Sequence, residues 1–494
     1  MVRGGAWLAL STYANIVFGF ACNLVLTRLL RPDDFGAFAL AMCFFSLAQL
    51  RPKSGIDEAF TQRRPTTGAL VGTYLVLNSA ASVLTCGLAA VLALGLRRMG
   101  YAAAVSHVVV ALAAIGLVSS CAEAAVTLLF KELQFGAASL INSVTFALSY
   151  LPAFWVAWHG GGCWSLVAQQ GVHAVLLAAG IWTVARRGVP HVWQLTWRFD
   201  RQVAAGLLRF GVTVGMGAAA GMFLTQFDNF LVGTFVGLSA LGLYDRAYRI
   251  AQWPHLLVGG VISRVGLYAY SRLQDDAARL RQAVAIAFAV LCGVAWPVSV
   301  VIFVAAPELV RGLYGERWLA SVPLVRLLVL YAAIRPLREN LGTFLIASGQ
   351  PRRNTLVGAA ECALLVMLGV PLTLGFQAAG TCVTVVLTYT VGAALAWFVT
   401  KERAGLAAGT TALGPVVALA LALAAGTYAP LVAPGGAPGA AARLLLKSTV
   451  GLGAYFLILR VLGPPRLAAQ LGELARSFVA PRHGPSPGER SEPR

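Results

Sequence analysis

Apolar stretches long enough to cross a bilayer follow one another along this chain with hardly a gap. A hydrocarbon core takes about 20 predominantly apolar residues to span, and about fourteen such windows can be placed. They fall near 5–27, 35–50, 68–96, 104–129, 136–158 and 163–185, then 207–234, 241–268, 284–306, 320–347, 355–374 and 378–399, and last 411–432 and 444–463. With 58% hydrophobic and 12% charged residues and a mean hydropathy of +0.76, a water-soluble globular domain is excluded. An all-α integral membrane protein is expected, because a helix satisfies its own peptide groups in lipid. The first apolar stretch is too long for a cleavable signal peptide and is followed by charge, so it reads as the first span.

A net charge of +19 would point to nucleic acid in a soluble chain, but here its placement says otherwise. The basic segments "RPKSGIDEAFTQRR" (51–64) and "RRGVPHVWQLTWRFDRQ" (186–202) both fall on the cytoplasmic side if the N-terminus does. The positive-inside rule therefore places both termini of a multi-pass membrane protein in the cytoplasm, with basic loops against anionic lipid and no nucleic-acid partner. The eight cysteines are scattered without a CxxC or a histidine cluster, which supports neither a metal site nor a disulfide framework. A phosphate loop, HExxH and GxSxG are absent, so no cofactor and no catalytic residue is expected. "GVTVGMGAAAG" (211–221) lies in an apolar span, where Gly211/Gly215 and Gly217/Gly221 read as close helix packing.

An ungapped internal repeat at an offset of 206 sets "ACNLVLTRLLRPDDFGAFAL" (21–40) against "FDNFLVGTFVGLSALGLYDR" (227–246), matching Asn23 to Asn229, Gly36 to Gly242 and Phe38 to Tyr244. An even number of spans between equivalent positions makes the copies parallel, related by an axis along the membrane normal, with a cavity between them that suits alternating access. The expected organisation is an N-terminal bundle (1–186), a cytoplasmic linker (187–206), a C-terminal bundle (207–400), two extra spans (401–465) and a partly disordered cytoplasmic tail (466–494).

Charge inside spans is expensive and must be compensated by partners or water. It gathers in four places: Glu123; "LTQFDNFL" (224–231) with Asp228 and Asn229; "ALGLYDRAYRIAQWP" (240–254) with Asp245, Arg246 and Arg249, followed by Arg264; and "YAAIRPLRENL" (331–341) with Arg335, Arg338 and Glu339. Asp245/Arg249 and Arg335/Glu339 have the spacing of neutralising intrahelical pairs. Those pairs leave Arg246, Arg264 and Arg338 opposed by Asp228 and Glu361. A local cationic excess of this kind suits an anionic substrate, and the planar guanidinium fork suits phosphate. Pro254, Pro297 and Pro336 each bend or break a helix. His107 and His173 stand in spans, either as proton relays or as hydrogen-bond partners of neighbouring helices.

Several motifs resemble the bacterial polysaccharide-export branch of the multidrug/oligosaccharidyl-lipid/polysaccharide flippase superfamily: "LTRLLRPDDFGAFALAMCFFSLAQL", "GGGCWSLVAQQ", "DNFLVG", "ALGLYDRAYRIAQWP", "LVRGLYGERWLASVPLVRLLVL" and "ASGQPRRN". The resemblance covers residues 5–400 and implies two parallel six-helix bundles in a V plus, here, two C-terminal helices. It also implies a cationic cavity that carries undecaprenyl-diphosphate-linked oligosaccharide from the cytoplasmic to the periplasmic leaflet of the cell inner membrane. Asp228, Tyr248 and Arg249 take the family's recurring positions, whereas Arg51, Pro52 and Lys53 depart from an apolar, small pattern.

The resulting candidates for the substrate or cavity wall are Arg246, Arg249, Arg264, Arg335, Arg338, Tyr248, Asn23 and Asn229. Asp228, Glu123, Glu339 and Asp245 are candidates for coupling or charge pairing. The implied partners are a lipid-linked anionic glycan, membrane lipid, and polymerase and export machinery around a monomer. Two alternatives stand beside this reading. A cation-coupled multidrug exporter of the same superfamily would carry carboxylates without the arginines. A membrane polymerase or glycosyltransferase would need a large external segment.

Overall fold

The computed structural model describes residues 2–49, 52–63, 65–132, 134–188, 199–404, 419–421, 423–424 and 440–462. Among them every regular element is helical and no strand occurs. Most of the proposed thirteenth span, half of the linker 187–206 and the whole tail 466–494 lie outside the described residues. Contacts divide the chain into two compact units. The first is Met1–Arg246 with Leu313–Ser321 and Leu364–Thr384, and the second is Ala247–Gly312, Val322–Ala363 and Val385–Arg494.

The first unit contains α1 (Val2–Leu29), α2 (Pro32–Ala48), α3 (Pro52–Gln62), α4 (Gly68–Arg98), α5 (Ala103–Lys131), α6 (Phe135–Trp158), α7 (Trp164–Gly188) and α8 (Arg201–Phe235). It also holds the start of α9 (Leu238–Ala251). Local chemistry fixes the helix starts. α2 opens with Pro32 at its first turn, and Asp34 there accepts the Arg31 backbone N–H at 2.9 Å. Asp200 caps α8 by accepting from the amides of Gln202 and Val203 at 2.8 and 3.1 Å. Both are the side-chain acceptors that a helix's free N-terminal amides require. Trp155, Trp158 and Trp164, at the turn joining α6 to α7, are exposed, as expected of a belt at a membrane–water boundary.

The basic segment read as a cytoplasmic loop is helical over Pro52–Gln62. Its apolar residues Ile56, Ala59 and Phe60 fall three and four apart, so they share one face, and that face is buried with Tyr74, Leu128 and Leu207. Phe60 stacks on Tyr74 at 4.2 Å between centroids, and the Lys131 ammonium lies 4.0 Å above the Phe60 ring while donating to the Phe60 carbonyl at 2.8 Å. Gly55 meets Gly211 of α8 backbone to backbone, a Cβ at Gly55 falling 2.7 Å from the Gly211 carbonyl carbon. This is the close packing expected of Gly211.

In the second unit, α9 ends before a π-helical turn, His255–Gly259, that follows Pro254 and leads into α10 (Gly260–Leu273). A second π turn, Leu291–Ala295, joins α11 (Ala277–Val290) to α12 (Trp296–Val304), and Pro297 sits in the first turn of α12. Proline removes a backbone donor and forces the preceding turn to readjust, which a π bulge accommodates. Two of the three prolines thus interrupt their helices as expected. Pro336 lies inside α14 (Val322–Ala347), which follows α13 (Ala306–Leu313) and the 3₁₀ segment Glu316–Ser321.

α15 (Pro351–Ala404) doubles back at Gln377, whose φ of 55° is left-handed. Thr373 and Thr381 hydroxyls meet across that turn at 2.7 Å, and Gly380 supplies the room for it, since a Cβ there would overlap the Leu372 backbone. The last described helix, α16 (Ala440–Leu462), packs on α12. Tyr455 donates to the Cys292 carbonyl at 2.7 Å, and Lys447 pairs with Glu308 at 2.8 Å.

Among the described residues, seven helical segments are long and apolar enough to cross a membrane by length and composition, Gly68–Arg98 and Pro351–Lys401 among them. Phe60→Ala should cost about 3–5 kcal/mol by emptying the core that holds α3. Thermal unfolding of the detergent-purified protein measures it, and an unchanged midpoint would contradict the packing role given to α3.

Candidate functional site

Two polar clusters lie inside the first unit. Asp228 of α8 is buried and accepts the Tyr244 hydroxyl at 2.7 Å and the Asn229 amide at 2.8 Å. The Asn229 side chain donates to Gln226 at 3.3 Å. Tyr244 lies three residues past Leu241 on the inward face of α9, so helical spacing carries it to the carboxylate.

The second cluster centres on Arg246, which is only 2% exposed. Its guanidinium sits 4.0 Å above the Phe35 ring and donates from Nε to Asp245 at 3.0 Å and from Nη1 to the Thr27 hydroxyl at 3.3 Å. Trp318 is fully buried, donates to the Thr27 carbonyl at 3.0 Å and meets Phe35 edge-on at 5.7 Å. A cation on an aromatic face with a paired carboxylate resolves the cost of burial.

The second unit holds a cluster built on α14. Tyr331, Arg335 and Glu339 stand four residues apart and form one ridge. Arg335 Nε donates to Glu339 at 2.8 Å, and Nη1 donates to the Tyr331 hydroxyl at 2.9 Å. Tyr248 stacks on Tyr331 at 5.8 Å, their hydroxyls 2.9 Å apart. Tyr389 meets the same ring edge-on at 4.6 Å. His255, first residue of the π turn, brings Nδ1 to 3.5 Å from Glu339. Arg335 and Glu339 remain 17% and 33% exposed, so the ridge presents a cation and a carboxylate at an accessible surface, flanked by the half-buried phenols of Tyr248 and Tyr389, with Tyr331 buried beneath them. Such a set suits phosphate and sugar hydroxyls.

Arg338 points elsewhere. It forms a two-pronged pair with Glu361 of α15, at 2.6 and 3.2 Å, and donates to Asn354 at 3.1 Å. Both partners are under 10% exposed. Gly392 and Gly342 leave the space for the pair, since a Cβ at either would crowd Glu361 or Arg338. The guanidinium fork is thereby filled within the protein.

The remaining candidates are dispersed. Asn23 donates to the Gly19 carbonyl at 2.9 Å and to Tyr150 at 3.1 Å. Glu123 is exposed on α5, and Arg249 is exposed near the end of α9. Arg264 belongs to α10, and its side chain lies outside the described structure. Among the described residues no group of three or more His, Cys, Asp or Glu side chains is placed to hold a metal ion.

Sequence reasoning passed over Tyr331, Tyr389 and His255 in the ridge, and Thr27, Phe35 and Trp318 around Arg246. Tyr331 had a legible signal, one helical turn before Arg335. The others come from distant segments and carry none.

Apolar helices long enough to cross a membrane several times, with arginine–carboxylate pairs kept within the helical units, define a multi-pass membrane protein. A profile of the family described as "Polysaccharide biosynthesis protein" matches residues 25–323, and the chain belongs to that family. It is 25% identical over 341 residues to the succinoglycan biosynthesis transport protein ExoT of Rhizobium meliloti (strain 1021), covering 68% of this chain and 66% of the relative. It is 23% identical over 395 residues to the teichuronic acid biosynthesis protein TuaB of Bacillus subtilis (strain 168), covering 79% of each. Among solved structures, the lipid II flippase MurJ in an inward closed conformation shares the fold, with a TM-score of 0.70 at 10% identity over 96% of this chain and 99% of that one.

Arg338→Met alone should lower stability by about 3–5 kcal/mol by stranding Glu361, and Arg338→Met with Glu361→Leu should recover most of it. Thermal unfolding of the single and double variants decides this. A double variant as unstable as the single would show that the pair is not self-contained.

Proposed function

We propose that this protein is a flippase for lipid-linked oligosaccharide. It moves a repeat unit of cell-surface polysaccharide or lipopolysaccharide, joined to undecaprenyl by diphosphate, from the cytoplasmic to the periplasmic leaflet of the inner membrane by alternating access. The observation that carries the reading is the flippase fold shared along nearly the whole chain in a member of a polysaccharide biosynthesis family. In this reading Arg335 and Arg249 meet the diphosphate, and Tyr248 with its neighbours in the ridge meets sugar. Asn23 and Asn229 line the path, Asp228, Glu123, Glu339 and Asp245 balance or couple charge, and the lipid tail stays in the bilayer. Outward movement of a dianionic headgroup also runs with an inside-negative potential, worth about 2.3 kcal/mol per charge per 100 mV. Both termini face the cytoplasm, and the protein works as a monomer beside polymerase and export machinery.

Deleting the gene should trap lipid-linked oligosaccharide in the inner leaflet, identified by mass spectrometry with the leaflet assigned by an impermeant label. Absence of such build-up would overturn the substrate assignment. Arg249→Ala or Arg335→Ala should cut export about tenfold or more, as expected for a charge-assisted hydrogen bond worth about 1.5–3 kcal/mol, with normal amounts of protein in the membrane. Undiminished export in both would remove the diphosphate role. A reporter active only in the cytoplasm should work when fused after Arg494, and one active only in the periplasm should not.

A further inference from the structure

The internal repeat reappears in space as a reciprocal contact. A Cβ added to Gly36 of α2 would overlap the Leu238 carbonyl and lie 3.0 Å from Leu238 Cα, while a Cβ on Gly242 of α9 would overlap the Pro32 carbonyl and lie 3.0 Å from Pro32 Cα. At the repeat offset Gly36 corresponds to Gly242 and Pro32 to Leu238, so each copy offers the same glycine to the same backbone position of the other. That reciprocity is the mark of a two-fold axis through the contact. The next contact obeys it too. Arg246 reaches Thr27, and their counterparts Leu40 and Gly233 touch as well, Leu40 Cδ2 standing 3.2 Å from a Cβ built on Gly233. The two copies differ in chemistry here: an apolar contact on one side faces a guanidinium on the other, stacked on Phe35 and tied to Thr27 and Asp245. Trp318, Arg28 and Arg317 fasten the 313–321 segment to the same end, Arg28 donating to the Leu313 carbonyl at 3.1 Å and Arg317 to the Leu30 carbonyl at 3.4 Å.

In a carrier built from two parallel repeats, the path for substrate runs between them along their axis. Two backbones in contact on that axis leave no room there even for water. We infer that the Gly36–Leu238 and Gly242–Pro32 crossing is the external seal of the transport path, that it parts and reforms in each cycle, and that Arg246 is the latch that holds it shut. This rests on the flippase reading for the cycle and on the proposed orientation for the word external. Arg246 is then a positioning residue for the gate and makes no contact with substrate while the seal is closed.

Native Cys43, two turns beyond Gly36 on α2, reports on the seal. It is 1% exposed and its thiol contacts the Gln226 carbonyl of α8 at 3.4 Å. An impermeant maleimide is applied to intact spheroplasts making the full chain, and its attachment at Cys43 is quantified by peptide mass spectrometry. Gly36→Ala, Gly242→Ala and Arg246→Ala should each raise labelling of Cys43 from the outside about tenfold, the change produced by about 1.4 kcal/mol lost from the closed state. Each should also depress export of oligosaccharide.

Arg246→Lys, which keeps a cation over Phe35, should return labelling most of the way to wild type. Gly87→Ala, where a new methyl meets nothing within 4 Å, should leave labelling unchanged. If the glycine variants fail to reach the membrane, Arg246→Ala against Arg246→Lys decides alone, since neither adds bulk. Labelling that stays at the wild-type level in the variants that reach the membrane, or that rises only in inverted vesicles, overturns the seal. The labelling readout is independent of the cargo. A responsive Cys43 in cells that accumulate no lipid-linked oligosaccharide would sink the substrate assignment and keep the gate.

Discussion

Hydrocarbon offers no partner to a peptide group, and nearly every feature of this protein follows from that constraint. Every regular element among the described residues is a helix, and where a helix must break it does so within a packed unit. Pro254 and Pro297 each adjoin a π turn, so the lost backbone donor is absorbed locally. The reversal at Gln377 is bridged by the Thr373–Thr381 hydroxyl pair. Close approach of two backbones is the second demand of the same environment. Glycine meets it at Gly55 against Gly211 and at the reciprocal pair Gly36 and Gly242.

Charge is placed under the same discipline. Arg246, Arg338 and Lys447 each have a carboxylate within the same compact unit, and glycines make room for the Arg338–Glu361 pair. Against these filled pairs Arg335 and Glu339, above the buried Tyr331, retain accessible surface. The distinction separates two uses of arginine. One kind holds helices together, and the other keeps a guanidinium within reach of an anion.

The internal repeat links fold to mechanism. Duplication gave two copies of one helix-turn-helix frame, and divergence between them put Arg246 where the first copy has Leu40. A symmetric apolar crossing is self-complementary but offers no directional hold. One guanidinium on one side adds a contact that can be made or broken without disturbing the glycines beneath it. An asymmetric latch on a symmetric seal is the arrangement that results.

Hydropathy determined by itself that this is an all-helical membrane protein, and it placed α4 to α8, α14 and both arms of α15 closely, because long apolar runs have no other stable state in lipid. The intrahelical pair Arg335–Glu339 was legible as well, being fixed by the period of one helix. α3 was not. Its short amphipathic run carries enough charge to read as a loop, and only burial of Ile56 and Phe60 against α4, α5 and α8 makes it a helix. Arg246 against Arg249 could not be sorted from spacing either. Both are cationic residues on one helix, and which of them is buried depends on Phe35, Thr27 and Trp318 arriving from segments far away in the chain. Sequence fixes which groups are costly in a membrane, since that is a property of single residues and local periods. Only the tertiary structure decides which of them are compensated, because compensation is a matter of what distant helices bring within 4 Å.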